Sequence, residues 1–188
     1  MTRAHASTEL DIPAIAARIT RPVVLVGLMG AGKSTVGRRL AAMLGRDFVD
    51  ADDAIAAAAG RSIPEIFETF GEAYFRDGER RVIARLMDEA HGVIATGGGA
   101  FVDPATRALI LERGIAVWID CPVETLVERT AKRSNRPLLR NGDPREILTR
   151  LAHERAPFYA EAPIRVLSEN GPHADTARAI IEAIDQWL

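Results

Sequence analysis

The most chemically loaded stretch of the chain is GLMGAGKS, residues 27 to 34. The pattern G-x-x-x-x-G-K-[ST] requires an apolar strand before it and a helix after it, and PVVLV and TVGRRLAAML supply both. Glycines let backbone N–H groups approach phosphate oxygens, and the start of the helix adds partial positive charge. Gly30, Ala31, Gly32, Lys33, Ser34 and Thr35 are therefore the expected phosphate cradle. Lys33 has the reach for the β- and γ-phosphates, and the Ser34 hydroxyl is a suitable Mg2+ ligand. The plainer alternative is a glycine-rich turn with no ligand. The motif implies a nucleotide, and it leaves open whether water, a protein or a small molecule receives the phosphoryl group.

Three further clusters bear on the acceptor. FVDADD, residues 48 to 53, places acids at the end of a short strand, where open α/β sheets bind ligands. In an extended segment Asp50 and Asp52 point the same way. One of them could hold a metal-bound water while the other holds an acceptor hydroxyl. The competing reading makes these acids caps of the next helix, with Asp53 as the cap. TGGGA, residues 96 to 100, also follows a buried strand, and Gly97, Gly98 and Gly99 offer bare N–H groups to a close ligand. Arg76 and Arg155 read singly as solvated surface charges. Guanidinium groups nonetheless bind carboxylates and phosphates in bidentate fashion. Arg129 and Arg136 flank a turn-rich stretch, and a basic loop that closes over phosphates would exclude water.

The elements that must position these residues alternate. Short apolar runs, VVLVGL, FVDADD, GVIATGGGA, IAVWID and PIRVLS, read as strands. Helical patterns separate them, so the expectation is a parallel sheet covered on both faces. An alanine-rich helix is expected near Asp53 to Ala59. SIPEIF opens another with a capping box of Ser62 and Glu65, and EAYFRDGERRVIARLMDEA is expected as one long helix. REILTRLAHERAPFY reads as helical until Pro157, and SNRPLLRNGDP as a loop. Residues 1–20 are expected to be an extension with a short helix around Ile12 to Ile19, and 21–188 a single domain.

With 188 residues, the chain has room for one domain and not for two ordinary ones. It is 47% hydrophobic and 27% charged, with net charge −2. The pI of about 6.1 argues against nucleic acid and against a polybasic membrane face. No apolar run approaches the roughly 20 residues that span a bilayer. The one cysteine, Cys121, cannot form an internal disulfide and suits a reducing cytoplasm. His5, His91, His153 and His173 fall outside every motif and are expected at the surface, with Trp118 and Trp187 as packing groups.

Taken together, GLMGAGKST, FVDADDAI, GRSIPEIFETFGEAYFRDGE, VIATGGGA, RPLL and ERAPFY resemble the shikimate kinases, over about Val23 to Ser168. The resemblance implies a three-layer α/β P-loop fold of the nucleoside monophosphate kinase type. Its five-stranded parallel sheet would run in order 2-3-1-4-5, with a lid at about 131–143. It implies transfer of the ATP γ-phosphoryl group to the 3-hydroxyl of shikimate by a monomer, with Mg2+. By the same resemblance Lys33 serves the phosphates, Ser34 holds Mg2+ directly, and Asp50 holds it through water. Asp52 matches the acid on the shikimate hydroxyls, expected to orient the nucleophile first, since an exposed aspartate is a weak base. Arg76 and Arg155 match the carboxylate grip, Gly97, Gly98 and Gly99 the pocket lining, and Glu79 the acid anchoring Arg76. Arg136 matches the lid arginine that reaches the transferred phosphate, and Arg129 the arginine near the adenine. The rival readings are a gluconate or other small-molecule P-loop kinase, and a non-catalytic shikimate-sensing domain of a regulator. The latter needs a DNA-binding segment of about 50 residues, longer than the extension.

Overall fold

β1 (Val23–Val26) lies at the centre of the sheet, and its four residues, two valines, a leucine and a valine, are all buried. A strand that is apolar at every position has to be covered on both faces. The computed structural model describes residues 10–89, 92–132, 139 and 142–188. Arg136, His5, His91, Pro137 and most of the expected lid lie outside them. β3 (Val93–Ala95) and β4 (Ile115–Asp120) flank β1 in parallel, with Val23 opposite both Val93 and Ile115. β2 (Phe48–Asp50) runs outside β3 and β5 (Ile164–Leu167) outside β4, giving the parallel order 2-3-1-4-5. β5 is an edge strand and alternates: Ile164 and Val166 face the core, while Arg165 and Leu167 face solvent.

α2 (Lys33–Leu44) and α8 (His173–Trp187) pack on each other and against the sheet, and α1 (Ile12–Arg18) lies across both. α1 buries Ile15 in the same core as β1, and Arg46 closes its end by donating to the carbonyls of Ala16 and Ile19. α4 (Ile63–Asp88) and α5 (Pro104–Arg113) pack together, with α5 on β4. α3 (Ala51–Ala59) rests on α4, where Ile55, Ile66 and Phe75 form a second, smaller apolar cluster. α6 (Val123–Ala131) and α7 (Pro144–Tyr159) complete the set. Among the described residues, no helix is long and apolar enough to cross a membrane.

Three local expectations change. The acidic strand ends at Asp50, and α3 begins at Ala51, so Asp52 sits in a first helical turn. Asp50 is the residue that caps α3, accepting from the Asp52 N–H at 3.0 Å, and Asp53 is not the cap. α7 also continues past Pro157 to Tyr159. A proline there removes one ladder bond near a helix end, a modest loss, and the buried Tyr159 holds the last turn in place. The capping box forms as expected, with the Ser62 N–H donating to Glu65 at 2.7 Å. The helix it opens meets the long helix at Gly71, whose φ of 82° breaks the ladder inside α4.

Candidate active site

Strand order places the ends of β2, β3 and β1 next to one another. Everything that leaves those ends shares one cleft. Thr96 ties the end of β3 to β1, donating from both N–H and Oγ1 to the Leu25 carbonyl. On the β1 side the phosphate loop turns tightly past β4. A Cβ at Gly27 would lie 2.6 Å from the Ile119 carbonyl oxygen, so glycine is required there. Gly32 caps α2 with φ of 92°, a conformation that favours glycine. Lys33 is buried, and its Nζ donates to the Gly27 and Leu28 carbonyls at 2.7 and 2.8 Å. Its charge is thereby held at the mouth of the loop.

Asp50 joins β2 to this loop. Its Oδ2 accepts from the Ser34 hydroxyl while its Oδ1 caps α3. Ser34 and Asp50 form a hard-oxygen pair beside the phosphate cradle. Among the described residues, no group of three or more His, Cys, Asp or Glu side chains could hold a metal ion.

The glycine turn after β3 is where the acceptor-side charges converge. A Cβ at Gly97 would stand 2.9 Å from Asp52 Oδ1 and 3.4 Å from Glu79 Oε1. At Gly98 it would stand 3.2 Å from Arg155 Nη1 and 3.4 Å from the Met29 nitrogen of the phosphate loop. At Gly99 it would stand 2.7 Å from Arg76 Cζ. The three glycines therefore leave room for an acid from α3, an arginine from α7 and an arginine from α4. Asp52, Arg76 and Arg155 come together over residues 97 to 99, and the phosphate loop touches the same turn.

Electrostatics sharpen the picture. Asp52 is partly buried rather than exposed, which corrects the view of it as a weak, solvated base. Burial pushes its carboxyl above the ordinary aspartate value, the Asp50 carboxylate adds to the rise, and Lys33 opposes it. Glu79 is 1% exposed and accepts from Arg76 Nη1 at 2.7 Å, while its Oε1 has no hydrogen-bond partner among the described residues. Burial raises its carboxyl from 4.5 to about 7, against the pull of Arg76. Arg76 also reaches Glu72 at 3.5 Å, so it is an oriented group and not a freely solvated one.

Arg129 stands at the other end of the loop. Its Nη1 donates to the Ala31 and Gly30 carbonyls at 3.2 and 3.4 Å, and its Nη2 to the Glu169 carbonyl at 3.0 Å. His173, set aside in the sequence as a surface residue, is partly buried. Its Cε1 would lie 3.7 Å from a Cβ at Gly32, beside Arg129. Tyr159 is the other group that spacing left without a role. It is 1% exposed and donates to the Gly98 carbonyl at 2.5 Å. Its position four residues after Arg155, on one helical face, was the available signal. His153 is exposed, and Cys121 is buried with its thiol pushed up by burial, as small packing residues are. Trp118 packs near Tyr159, with ring centres 5.8 Å apart.

A family model described as shikimate kinase matches residues 29–185. The chain is 63% identical to a shikimate kinase of Novosphingobium aromaticivorans over 186 residues, 97% of this chain and 95% of that one. It is 56% identical to a shikimate kinase of Caulobacter vibrioides over 166 residues, 88% of this chain and 83% of that one. Among solved structures, a shikimate kinase from Acinetobacter baumannii in complex with shikimate superposes with a TM-score of 0.86 at 41% identity. That match covers 92% of this chain and 97% of the other.

Proposed function

The chain belongs to the shikimate kinase family, and we propose that its cleft moves the γ-phosphoryl group of ATP onto the 3-hydroxyl of shikimate. The observation that carries this reading is the convergence of Asp52, Arg76 and Arg155 on the glycine turn beside Lys33. A carboxylate acceptor needs guanidinium groups, and two from different helices face one turn. Gluconate also carries a carboxylate, so the arginines alone do not choose between the acids; family membership does.

The division of labour follows from position. Arg76 and Arg155 grip the acceptor carboxylate, which fixes the ring against Gly97, Gly98 and Gly99. Asp52 accepts a hydrogen bond from the 3-hydroxyl. Its raised carboxyl makes it a better proton acceptor than an exposed aspartate, and it takes the proton as the new O–P bond forms. The bond that breaks joins the γ-phosphorus to the β–γ bridging oxygen, and ADP leaves with that oxygen. Lys33 supplies positive charge to the transferring oxygens, with Arg136 as its partner from the lid. In a loose transition state, positioning and such charge dominate. Gly30, Ala31, Gly32, Ser34 and Thr35 cradle the phosphates, and Arg129 with His173 borders the nucleoside end.

Ser34 and Asp50 suit Mg2+, a hard ion that binds few protein oxygens and keeps its waters. When bound it would neutralise charge on the phosphate oxygens, with Ser34 as direct ligand and Asp50 holding it through water. Every group named comes from one chain, so the reading needs no partner subunit. We place this biosynthetic monomer in the cytoplasm.

The test is an ATP-to-ADP coupled assay with shikimate, gluconate and nucleoside monophosphates side by side. Shikimate alone is expected to raise turnover well above the blank. Stimulation by another acceptor and not by shikimate would overturn the substrate assignment.

A further inference from the structure

Arg107, in the second turn of α5, belongs to no nucleotide or acceptor motif, yet its side chain is only 14% exposed. It is surrounded by two elements of the acceptor pocket. Its Nη1 donates to the Phe101 and Val102 carbonyls at 3.1 and 3.0 Å, at the far end of the glycine turn. Its Nε donates to Glu161 at 3.0 Å, two residues past the end of α7, and its guanidinium carbon lies 5.0 Å over the Phe158 ring. One planar group thus joins the Gly97–Val102 segment to the end of the helix that carries Arg155. Tyr159 makes a second tie between α7 and this turn, through the Gly98 carbonyl. Arg155, one helical turn before Tyr159, approaches with its Nη1 the same Gly98 that Tyr159 holds.

We infer that Arg107 is a positioning residue for acceptor recognition: it fixes the glycine turn against α7 so that Arg155 meets the substrate carboxylate in a fixed register. The inference rests on the acceptor reading given above. Arg107 touches no substrate itself. Two backbone carbonyls and a carboxylate must be met at fixed angles, which suits the planar fork of arginine and not a lysine ammonium. Losing it leaves, among the described residues, the Tyr159 hydroxyl as the hydrogen bond between the glycine turn and the end of α7. Arg155 would then sample a wider range of positions, and a bidentate grip loses affinity when its partner is misplaced by fractions of an ångström.

The prediction concerns charge recognition, not affinity in general. Binding of shikimate and of its uncharged methyl ester is measured by calorimetry for the unmodified chain, Arg107→Ala and Arg107→Lys. The unmodified chain is expected to favour the carboxylate over the ester. In Arg107→Ala that preference shrinks by about five- to tenfold, while affinity for the ester and for ADP stays within about twofold. Arg107→Lys recovers only part of the preference. Equal weakening of acid and ester would mean that Arg107 merely supports the fold, and unchanged preference would mean that it does nothing here. Either result overturns the inference. If Arg107→Ala does not fold, Glu161→Ala removes the acceptor at the far anchor only, and a preference unaltered in that variant overturns the inference equally. An unmodified chain that binds ADP but neither acceptor would instead refute the acceptor reading itself.

Discussion

Glu79 offers a prediction whose size can be worked from the structure. The perturbation is Glu79→Gln, which keeps the shape of the side chain and removes its titration. Burial raises the Glu79 carboxyl from 4.5 to about 7; Arg76 pulls it down, and Asp52 and Asp103 push it further up. Below pH 4.5 the group is protonated in folded and unfolded chains alike, and its contribution to stability is fully present. Between 4.5 and 7 the unfolded chain releases a proton that the folded chain retains, so stability falls. Above 7 both are ionised and the loss is complete. At about 1.4 kcal/mol per pH unit, the gap between 4.5 and 7 makes this loss about 3 kcal/mol. Asp52, also raised by burial, acts in the same direction. Its own burial is the same in both proteins and cancels, while its repulsion of Glu79 is part of the difference measured. The assay is urea denaturation of the unmodified chain and Glu79→Gln from pH 4.5 to 8. The unmodified chain is expected to lose about 3 kcal/mol more than the variant across that range. Parallel profiles would mean that Glu79 is not held in a water-poor site, and the electrostatic account of the pocket would fall with it.

Two substitutions test the division of labour. Asp52→Asn keeps a hydrogen-bonding side chain but cannot take a proton. At saturating substrates it should lower turnover by about a hundredfold or more, with ADP affinity unchanged by calorimetry; full turnover would remove Asp52 from the chemistry. Arg155→Ala should raise the shikimate KM by about ten- to a hundredfold, the range for losing a charge-assisted hydrogen bond. The KM for ATP should stay within about twofold, and an unmoved shikimate KM would count against the carboxylate grip.

Much of the fold was legible because its signals are local. α2 begins at Lys33 and ends at Leu44, as the glycine before it and Gly45 after it imply. β1 reads as buried because it is apolar at every position. The misreadings have physical causes. The alternation of FVDADD suggests an extended Asp50 and Asp52, but edge strand β2 has only three residues, and the helix takes over at Ala51. The two acids still reach the site by different routes: Asp50 caps the helix and meets Ser34, while Asp52 projects from its first turn towards Gly97. Pro157 looked like a stop because a missing N–H is visible in sequence, whereas the burial of Tyr159 that offsets it is not. Arg107 and Glu161 are 54 residues apart, and Tyr159 is 61 from Gly98. No periodicity connects positions that far apart, so spacing could not show those ties.

The glycine run changes meaning once side chains surround it. In sequence it reads as open backbone offered to a ligand. In the fold each position is matched by a different catalytic-side group, Asp52 at Gly97, Arg155 at Gly98 and Arg76 at Gly99. Strand order explains why. With β3 between β1 and β2, the turn leaving β3 must pass between the phosphate loop and the acids of α3. A side chain on that turn would displace the acid or an arginine before any substrate arrived. The glycines are thus required by the protein's own charged groups, and the space those groups surround is what remains for a small anionic acceptor. The same turn approaches the phosphate loop, where a Cβ at Gly98 would lie 3.4 Å from the Met29 nitrogen. Lys33 is close enough to lower the Asp52 carboxyl, so under the proposed function the acceptor and phosphate sites adjoin.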